Sequence, residues 1–281
     1  MRCWMRAKAG VVLLHMARLA IALLFLLPLY WAVVVSLRQS GTAPSSTLEW
    51  WPHSLHWETY ADLFRTVPMA RYAGNSLFVV ALAVPLTLLT ASLAGFAMTQ
   101  LPSELRRRLV TASVALLLVP GMAVWTFRFH ILNLLGLVDS LWALIVPALA
   151  GGSPLFVLLF YWAYWRVPRE LYESARLDGA EASTVWRRVA WPLARPTTAA
   201  AALLAFVLFW GDFSTPVLYI YSTKLYTLPI GLQLLRQMDD TNIPLLMAAA
   251  VLMAAPIVAF VLLIQVVLLR DRMLAGIADE K

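Results

Sequence analysis

The sequence is poor in charged residues, cysteine and glycine, and each shortage excludes a class of protein. Only 13% of the 281 residues are Asp, Glu, Lys or Arg, whereas soluble domains carry about a quarter. A single cysteine excludes a disulfide scaffold, and 12 glycines cannot supply a collagen repeat. With 62% hydrophobic residues and a mean hydropathy of +0.77, the chain is too apolar for intrinsic disorder. The composition therefore indicates a protein that crosses a membrane several times.

Motifs for catalysis are missing as well. The sequence has no G-x-x-x-x-G-K-[ST] loop for ATP hydrolysis and no G-x-S-x-G elbow of a hydrolase. The pair His53 and His56 has no third ligand at useful spacing, so we expect neither a metal nor a cofactor. We therefore expect a non-catalytic protein.

Six charge-poor stretches are candidates for membrane spans, because a helix needs about 20 apolar residues to cross a bilayer. They are residues 19–37, 75–101, 109–127, 140–165, 196–211 and 243–269. The fourth is interrupted by prolines and glycines between Pro147 and Pro154, a break that is typical of transporter substrate paths or of a re-entrant segment. The fifth is short but continues past Asp212 to Tyr221. The sequence predicts an all-α, polytopic transmembrane helical bundle of six spans in a single domain, residues 1–281.

Asp212 is the one ionisable residue within a predicted span, with Arg128 at the end of another. Ionisable residues inside spans are functional candidates. Asp212 either lines a translocation path or packs between helices, and both interpretations remain open. An ion-coupled carrier would contain more buried charge, so the scarcity favours a transporter whose energy arrives from outside the membrane.

Lysine and arginine are distributed unequally between the two ends of the predicted spans. With six spans, the side that carries both termini holds 16 basic residues and the opposite side holds 6. Because basic residues accumulate on the cytoplasmic side, we predict that both termini are cytoplasmic and that the protein lies in the plasma or inner membrane. The same rule explains the net charge of +7 without a nucleic-acid partner.

The cytoplasmic connection of residues 166–196 is far longer than two adjacent helices require. Its pattern predicts a helix that begins at Pro168 and ends at a left-handed Gly179. A second helix is predicted from about Glu181 to Trp191, ended by Pro192. An exposed hairpin of this kind suits docking to a soluble partner or an interfacial position on lipid headgroups, and the composition does not choose between them.

The same connection carries a motif with a fixed spacing. Glu173-Ser-Ala-Arg-Leu-Asp-Gly179-Ala180, followed by Val189-Ala-Trp-Pro192, resembles the EAA loop, which reads E-A-A, three residues, G, nine residues, I-x-L-P. Ser174, Val189 and Trp191 depart from that pattern, while the spacing is intact. The EAA loop marks the membrane subunits of binding-protein-dependent ABC importers.

Two further motifs extend the resemblance. Trp210-Gly-Asp-Phe213 is similar to the W-N-D-F sequence of sugar-importer permeases, with Gly211 in place of Asn, and residues 226–231 resemble their Y-T-L-P-x-G segment. The chain thus resembles the carbohydrate group of these permeases, to which the second membrane subunit of the maltose transporter belongs.

The resemblance implies a type I ABC importer permease fold and a set of partners. These are a second homologous permease subunit, two ATPase subunits, an extracytoplasmic solute-binding protein and a carbohydrate substrate, with the lipid membrane as surroundings. The chain would form half of the translocation pathway for a sugar, a sugar-like solute or a glycerol-phosphate compound. The alternative is a stand-alone secondary carrier or channel.

The resemblance also assigns residues to roles. ATPase coupling falls to the loop of residues 173–192, and within it to Glu173, Ser174, Ala175, Asp178, Gly179, Ala180 and Pro192. Candidates for the substrate path are Trp210, Asp212 and Phe213. We expect the solute-binding protein to contact residues 39–71 of the external loop, residues 38–74.

Overall fold

The computed structural model describes residues 2–42, 50–51 and 54–279. The loop of residues 38–74, predicted to be external, is thus described only in part, and His53 lies outside the described residues. Within these ranges the regular structure is helical, without strands. The α-helices are α1 (Arg2–Ser36), α2 (Glu58–Thr66), α3 (Met69–Gln100), α4 (Ser103–Leu117), α5 (Gly121–Leu134), α6 (Trp142–Ile145), α7 (Pro154–Trp165), α8 (Arg169–Leu177), α9 (Ala182–Val185), α10 (Trp191–Leu193), α11 (Arg195–Trp210), α12 (Ser214–Tyr219), α13 (Leu228–Met238) and α14 (Ile243–Asp279).

Four segments of the described chain are long and apolar enough to cross a membrane. They are Leu14–Ser36, Met69–Gln100, Trp142–Trp165 and Ile243–Val266. Two helix pairs pass the same test only together: α4 with α5, bent by 100°, and residues 182–193 with α11, bent by 81°. The described chain therefore has four to six candidate spans, and six requires that each bent pair counts as one.

The predicted third span is not one straight helix. Residues 109–127 were predicted as the third span, but α4 ends at Leu117 and α5 begins at Gly121. Pro120 lies at the bend; it has no backbone N–H and disfavours helical geometry in Val119 before it. The break is therefore local in origin.

The chain divides into two compact units, Met1–Met69 with Gly231–Ala255 and Ala70–Ile230 with Pro256–Lys281. In the first unit, hydrogen bonds join the start of α2 to the end of α1. Thr59 Oγ1 donates to the Arg38 carbonyl at 2.6 Å, and the His56 N–H donates to the Leu37 carbonyl at 2.8 Å. These bonds anchor the described part of the loop of residues 38–74.

In the second unit, α3 and α7 approach each other closely at Gly95. A Cβ atom at this position would lie 2.7 Å from the backbone nitrogen of Tyr161 and 2.9 Å from the carbonyl oxygen of Val157. Small residues allow such close packing of helices inside membranes, where lipid provides no hydrophobic driving force for association. Gly95 therefore sets the distance between two spans.

A polar clasp holds the connection between α5 and α6 in the same unit. Asp139 Oδ1 accepts the N–H groups of Tyr221 at 2.9 Å and Ser222 at 2.8 Å, and the Ser222 hydroxyl donates to Oδ2. These hydrogen bonds, led by that of the hydroxyl, hold the pKa of the Asp139 carboxyl below its usual range. The clasp joins two loops that are about 80 residues apart in sequence.

Candidate functional site

The hairpin predicted in residues 166–196 has α8 as its first arm, and this helix ends as the sequence predicts. Gly179 has φ +81°, its N–H donates to the Arg176 carbonyl at 2.9 Å, and the Ala180 N–H donates to the Ala175 carbonyl at 3.0 Å. This pair of bonds is the Schellman motif, which satisfies helix carbonyls and reverses the chain. At the other end, Pro168 lies one residue before the helix rather than within it.

The second arm departs from the prediction. Instead of ending at Trp191, the helical path runs through α9, a π-helical segment (Trp186–Ala190) and α10, so it includes Pro192 and ends at Leu193. In the π-helical turn the Trp191 N–H donates to the Trp186 carbonyl, five residues back. The wider turn accommodates a proline ring that an α-helix would bring against a carbonyl. The prediction that Pro192 terminates the helix was therefore wrong.

The two arms enclose an open groove of about 460 Å³. Four of the seven predicted coupling residues line it, namely Ala175, Asp178, Gly179 and Ala180. The opposite wall consists of Glu181, Thr184, Val185, Arg188 and Val189. The groove is therefore a concave surface lined by small residues together with the charged Asp178, Glu181 and Arg188.

The other three predicted coupling residues lie elsewhere. Ser174 is exposed, and its hydroxyl donates to the Leu171 carbonyl at 3.3 Å. Pro192 is half-buried on the second arm. Glu173 lines a different cavity, of about 260 Å³, together with three arginines. The tertiary structure therefore separates Glu173 from the groove, although it is adjacent in the motif.

An aromatic cluster attaches the hairpin to α3 and α7. Trp191 stacks on Phe160 with ring centroids 6.0 Å apart and an interplanar angle of 13°. The Trp186 Nε1–H donates to Ser92 Oγ at 2.9 Å, and Ser92 also hydrogen-bonds the Tyr164 hydroxyl. We call this set the aromatic clamp: Tyr172, Trp186 and Trp191 of the hairpin with Ser92, Phe96, Phe160 and Tyr164 of the spans.

Tyr172 attaches the first arm to the same two helices. Its ring packs edge-on against Phe96 at 6.0 Å, and its hydroxyl donates to the Tyr164 carbonyl at 3.2 Å. Burial, together with the neighbouring Tyr164, raises the pKa of Tyr172 to about 12, so the phenol stays protonated and can donate. Both arms of the hairpin are thus joined to the spans.

Sequence reasoning missed the aromatic clamp. Trp191 was noted only as a departure from the EAA pattern. A signal was nevertheless present, because a loop of about 30 residues contains two tryptophans and one tyrosine, more large aromatic surface than a solvated loop requires. Only the folded chain shows which span residues receive them.

The three substrate-path candidates lie at a break between α11 and α12. Trp210 is 3% exposed and stacks on Phe206 at 5.8 Å. Asp212 Oδ1 accepts the Thr215 N–H at 3.1 Å, which satisfies a free donor at the start of α12. Phe213 is 40% exposed. Asp212 and Phe213 therefore present surface, whereas Trp210 is packed inside the unit.

The predicted break in the fourth candidate span is present. Gly151 and Gly152 have φ of +80° and +67°, and Ser153 accepts the Leu155 N–H at 3.4 Å to start α7. A Cβ at Gly152 would lie 3.0 Å from Thr87 Oγ1 on α3. The turn thus packs closely against a neighbouring span rather than projecting away from it.

One protein family and individual transport proteins match most of this chain. Residues 59–273 match the family described as "Binding-protein-dependent transport system inner membrane component". The sulfoquinovosyl glycerol transport system permease protein SmoH of Agrobacterium fabrum is 27% identical over 252 residues, which cover 90% of this chain and 87% of that one. The trehalose/maltose transport system permease protein MalG of Thermococcus litoralis is 28% identical over 260 residues, covering 90% and 92%.

A solved structure shares the fold. The crystal structure of a bacterial ABC transporter involved in the import of the acidic polysaccharide alginate matches with a TM-score of 0.74 and 18% identity. The match covers 92% of this chain and 97% of that one, so the likeness extends over nearly the whole length.

Proposed function

The chain belongs to the family of binding-protein-dependent transport system inner membrane components, and we propose that it forms half of the translocation pathway for a sugar or sugar-like solute. It is a non-catalytic permease subunit of an ABC importer. Relatives named for sulfoquinovosyl glycerol and for trehalose and maltose support a carbohydrate substrate. The family membership disfavours the alternative of a stand-alone carrier or channel.

The partners in this proposal are a second homologous permease, two ATPase subunits and an extracytoplasmic solute-binding protein. Both termini are placed in the cytoplasm, because 16 basic residues fall on their side of six spans and 6 on the other. In that orientation the hairpin of α8 to α10 faces the ATPase.

The aromatic clamp is the observation that best supports a role of the hairpin in coupling ATP hydrolysis to movement of the spans. A groove alone would let a partner bind without moving the spans. Here Tyr172, Trp186 and Trp191 join both arms of the hairpin to α3 and α7 through ring contacts and hydrogen bonds. Because packed aromatic clusters deform little, a push on the groove would move the hairpin as a rigid body and carry α3 and α7 with it.

The groove residues receive different roles in this mechanism. Ala175, Gly179 and Ala180 have a small side chain or none, so that an ATPase side chain in the groove can approach their backbone. Asp178, also in the groove, offers a carboxylate for a charge-assisted hydrogen bond with a basic ATPase residue. Glu173 and Ser174 on α8 would contact the partner outside the groove, and Pro192 would stiffen the second arm.

For the substrate path we propose Asp212 and Phe213 as lining residues. A carboxylate and an aromatic face are the groups that usually bind sugars, the first by hydrogen bonds to hydroxyls and the second by packing on the apolar ring face. Trp210, which is buried, would hold the end of α11 in place behind them.

The solute-binding protein is proposed to contact the described external segments of the first unit. An open cavity of about 450 Å³ there is lined by polar groups from two stretches of chain, including Asp62, Arg65, Thr66, Asp239 and Asn242. The predicted contact range, residues 39–71, supplies the first three. Mixed polar groups around a concavity are typical of the rim of transient interfaces.

The test is purification of the tagged full-length chain from its native membranes in mild detergent, followed by mass spectrometry of the retained proteins. The proposal expects an ATPase, a second permease and a solute-binding protein. The recovered binding protein is then screened by thermal shift against sugars, sugar glycosides and glycerol-phosphate compounds. Recovery of the chain alone or as a homodimer in every detergent would refute the importer assignment and favour a stand-alone carrier.

A further inference from the structure

A second cavity lies on α8, apart from the groove. Its volume is about 260 Å³, and its lining shares no residue with that of the groove. Gln100 and Trp165, which end α3 and α7, both contribute to it. Because these residues mark the ends of two candidate spans, the cavity lies where the chain leaves the hydrocarbon region and meets the lipid headgroups.

The cavity carries an excess of positive charge. Arg106, Arg169 and Arg176 line it, against one acid, Glu173. Within the described residues, the ion pairs with Asp or Glu involve other arginines, so none of these three is neutralised by a carboxylate within 4.0 Å. An unneutralised arginine cluster in a concavity attracts anions.

Each of the three arginines has a defined contact, although Arg169 and Arg176 are exposed. The guanidinium carbon of Arg106 lies 4.1 Å from the ring centroid of Trp165, and that of Arg169 lies 5.4 Å from it. Arg106 also donates to the Leu101 carbonyl at 3.3 Å, and Arg176 hydrogen-bonds Gln100. Stacking on an indole uses the face of a guanidinium and leaves most of its N–H edge free.

We propose that this cavity binds a phosphate group, supplied by the headgroup of an anionic phospholipid in the adjacent leaflet. Guanidinium groups match phosphate oxygens with paired hydrogen bonds, and basic pockets at the ends of spans are typical headgroup sites. A phosphate here would bridge the span ends, through Arg106, to the coupling helix α8, through Arg169 and Arg176. The bound lipid would hold α8 against α3 and α7.

The inference does not depend on the proposed transport function, because lipid binding is measured directly. The purified complex that contains the full chain is transferred to detergent and titrated separately with short-chain phosphatidylglycerol, short-chain phosphatidylcholine and sodium phosphate. Native mass spectrometry counts retained lipid, and thermal unfolding reports stabilisation. We expect retention of phosphatidylglycerol in preference to phosphatidylcholine, and stabilisation by the lipid at far lower concentrations than by sodium phosphate.

Two matched double variants test the location. Arg106→Gln with Arg169→Gln removes two charges from the cavity. Arg107→Gln with Arg108→Gln removes two charges from α4, the helix of Arg106, at side chains that are 75% and 74% exposed and pair with Glu104. At about 1 kcal/mol for each basic residue near an anionic headgroup, the first pair should weaken phosphatidylglycerol binding roughly 10- to 30-fold. The second pair should change it by no more than about twofold, since those two side chains are exposed and do not line the cavity.

Three results would overturn the proposal. Equal losses in both double variants would mean diffuse attraction to the surface rather than a site. If the wild-type complex bound phosphatidylglycerol no better than phosphatidylcholine, an anionic headgroup would be refuted as the ligand. This comparison needs no variant, so it holds even if the cavity variant fails to fold. If sodium phosphate stabilised the complex at the same concentrations as the lipid, the phosphate group in the cavity would come from a soluble anion rather than from a lipid headgroup.

Discussion

Replacement of Gly179 tests whether the geometry of the hairpin, rather than its chemistry, couples it to the ATPase. Gly179 has φ +81°, and a Cβ atom added there would meet nothing within 4 Å. Within the subunit itself, a side chain at position 179 therefore costs only the conformational energy of an L-residue in the left-handed region, about 1–2 kcal/mol. That energy corresponds to a roughly 5- to 30-fold shift away from the native turn.

The three substitutions at Gly179 separate backbone strain from contact with the partner. Asn tolerates the left-handed region better than Ala does, so strain predicts more activity for Gly179→Asn than for Gly179→Ala. A purely steric clash with the ATPase predicts the reverse, because Ala is smaller. Gly179→Asp adds a second carboxylate beside Asp178 in the groove, and we expect it to abolish uptake and coupled ATP hydrolysis while membrane insertion stays normal.

The assay is substrate uptake and binding-protein-stimulated ATP hydrolysis by the reconstituted complex, with membrane levels measured in parallel. Gly136→Ala is the matched control, because Gly136 also has positive φ, +67°, and open space for a Cβ but lies outside the hairpin. It should lower thermal stability and leave the ratio of transport to hydrolysis unchanged. A Gly179→Asn protein less active than Gly179→Ala would refute the argument from backbone geometry. Wild-type uptake by Gly179→Asp would instead refute the coupling role proposed for the hairpin.

Three other variants probe the spans, the clamp and the clasp. Gly95→Ala should lower stability in a denaturation assay by about 1–3 kcal/mol, because its Cβ would lie 2.7 Å from the backbone of α7. The control is Gly74→Ala on the same helix, which has open space for a Cβ and should be neutral in the same assay. Trp186→Phe keeps a ring but loses the hydrogen bond to Ser92, about 0.5–1.5 kcal/mol, and should lower transport per ATP hydrolysed; an unchanged ratio would contradict rigid coupling through the clamp. Asp139→Asn should lower the thermal unfolding temperature at pH 7, because the hydrogen bonds that depress the pKa of this carboxyl stabilise its ionised form. That stabilisation is present above the ordinary pKa near 4 and is lost as pH falls through the lowered value. The unfolding temperatures of the Asp and Asn proteins should therefore converge in strong acid. A constant difference between them down to pH 2 would argue against the clasp.

Local chemistry explains which features of the hairpin were predictable. A glycine after a run of good helix formers specifies a left-handed end, and Gly179 adopts it. Charge-poor stretches of about 20 residues identified segments that the structure contains as long helices, for instance α3 and α14. The bend at Pro120 was also encoded locally, although the apolar run that continues through it concealed the break.

The features that sequence reasoning missed depend on contacts between distant residues. Pro192 ends an isolated α-helix, yet here a π-helical turn, packed through Trp186 and Trp191, carries the helix beyond it. The aromatic clamp joins residues about 30 to 90 positions apart, such as Phe160 with Trp191 and Ser92 with Trp186. No periodicity within a short window contains that information.

By itself the sequence determined the membrane character of the chain, the hairpin and its left-handed turn, because each follows from local hydropathy and backbone preference. It also determined the long apolar segments, except that two of the six are bent helix pairs rather than single helices. Only the tertiary structure decided how the motif residues are distributed. It placed Ala175 and Asp178 in the groove but Glu173 in the arginine-lined cavity. The physical reason is that neighbouring residues on a helix point in directions about 100° apart, so which surface each one lines depends on what packs against that helix.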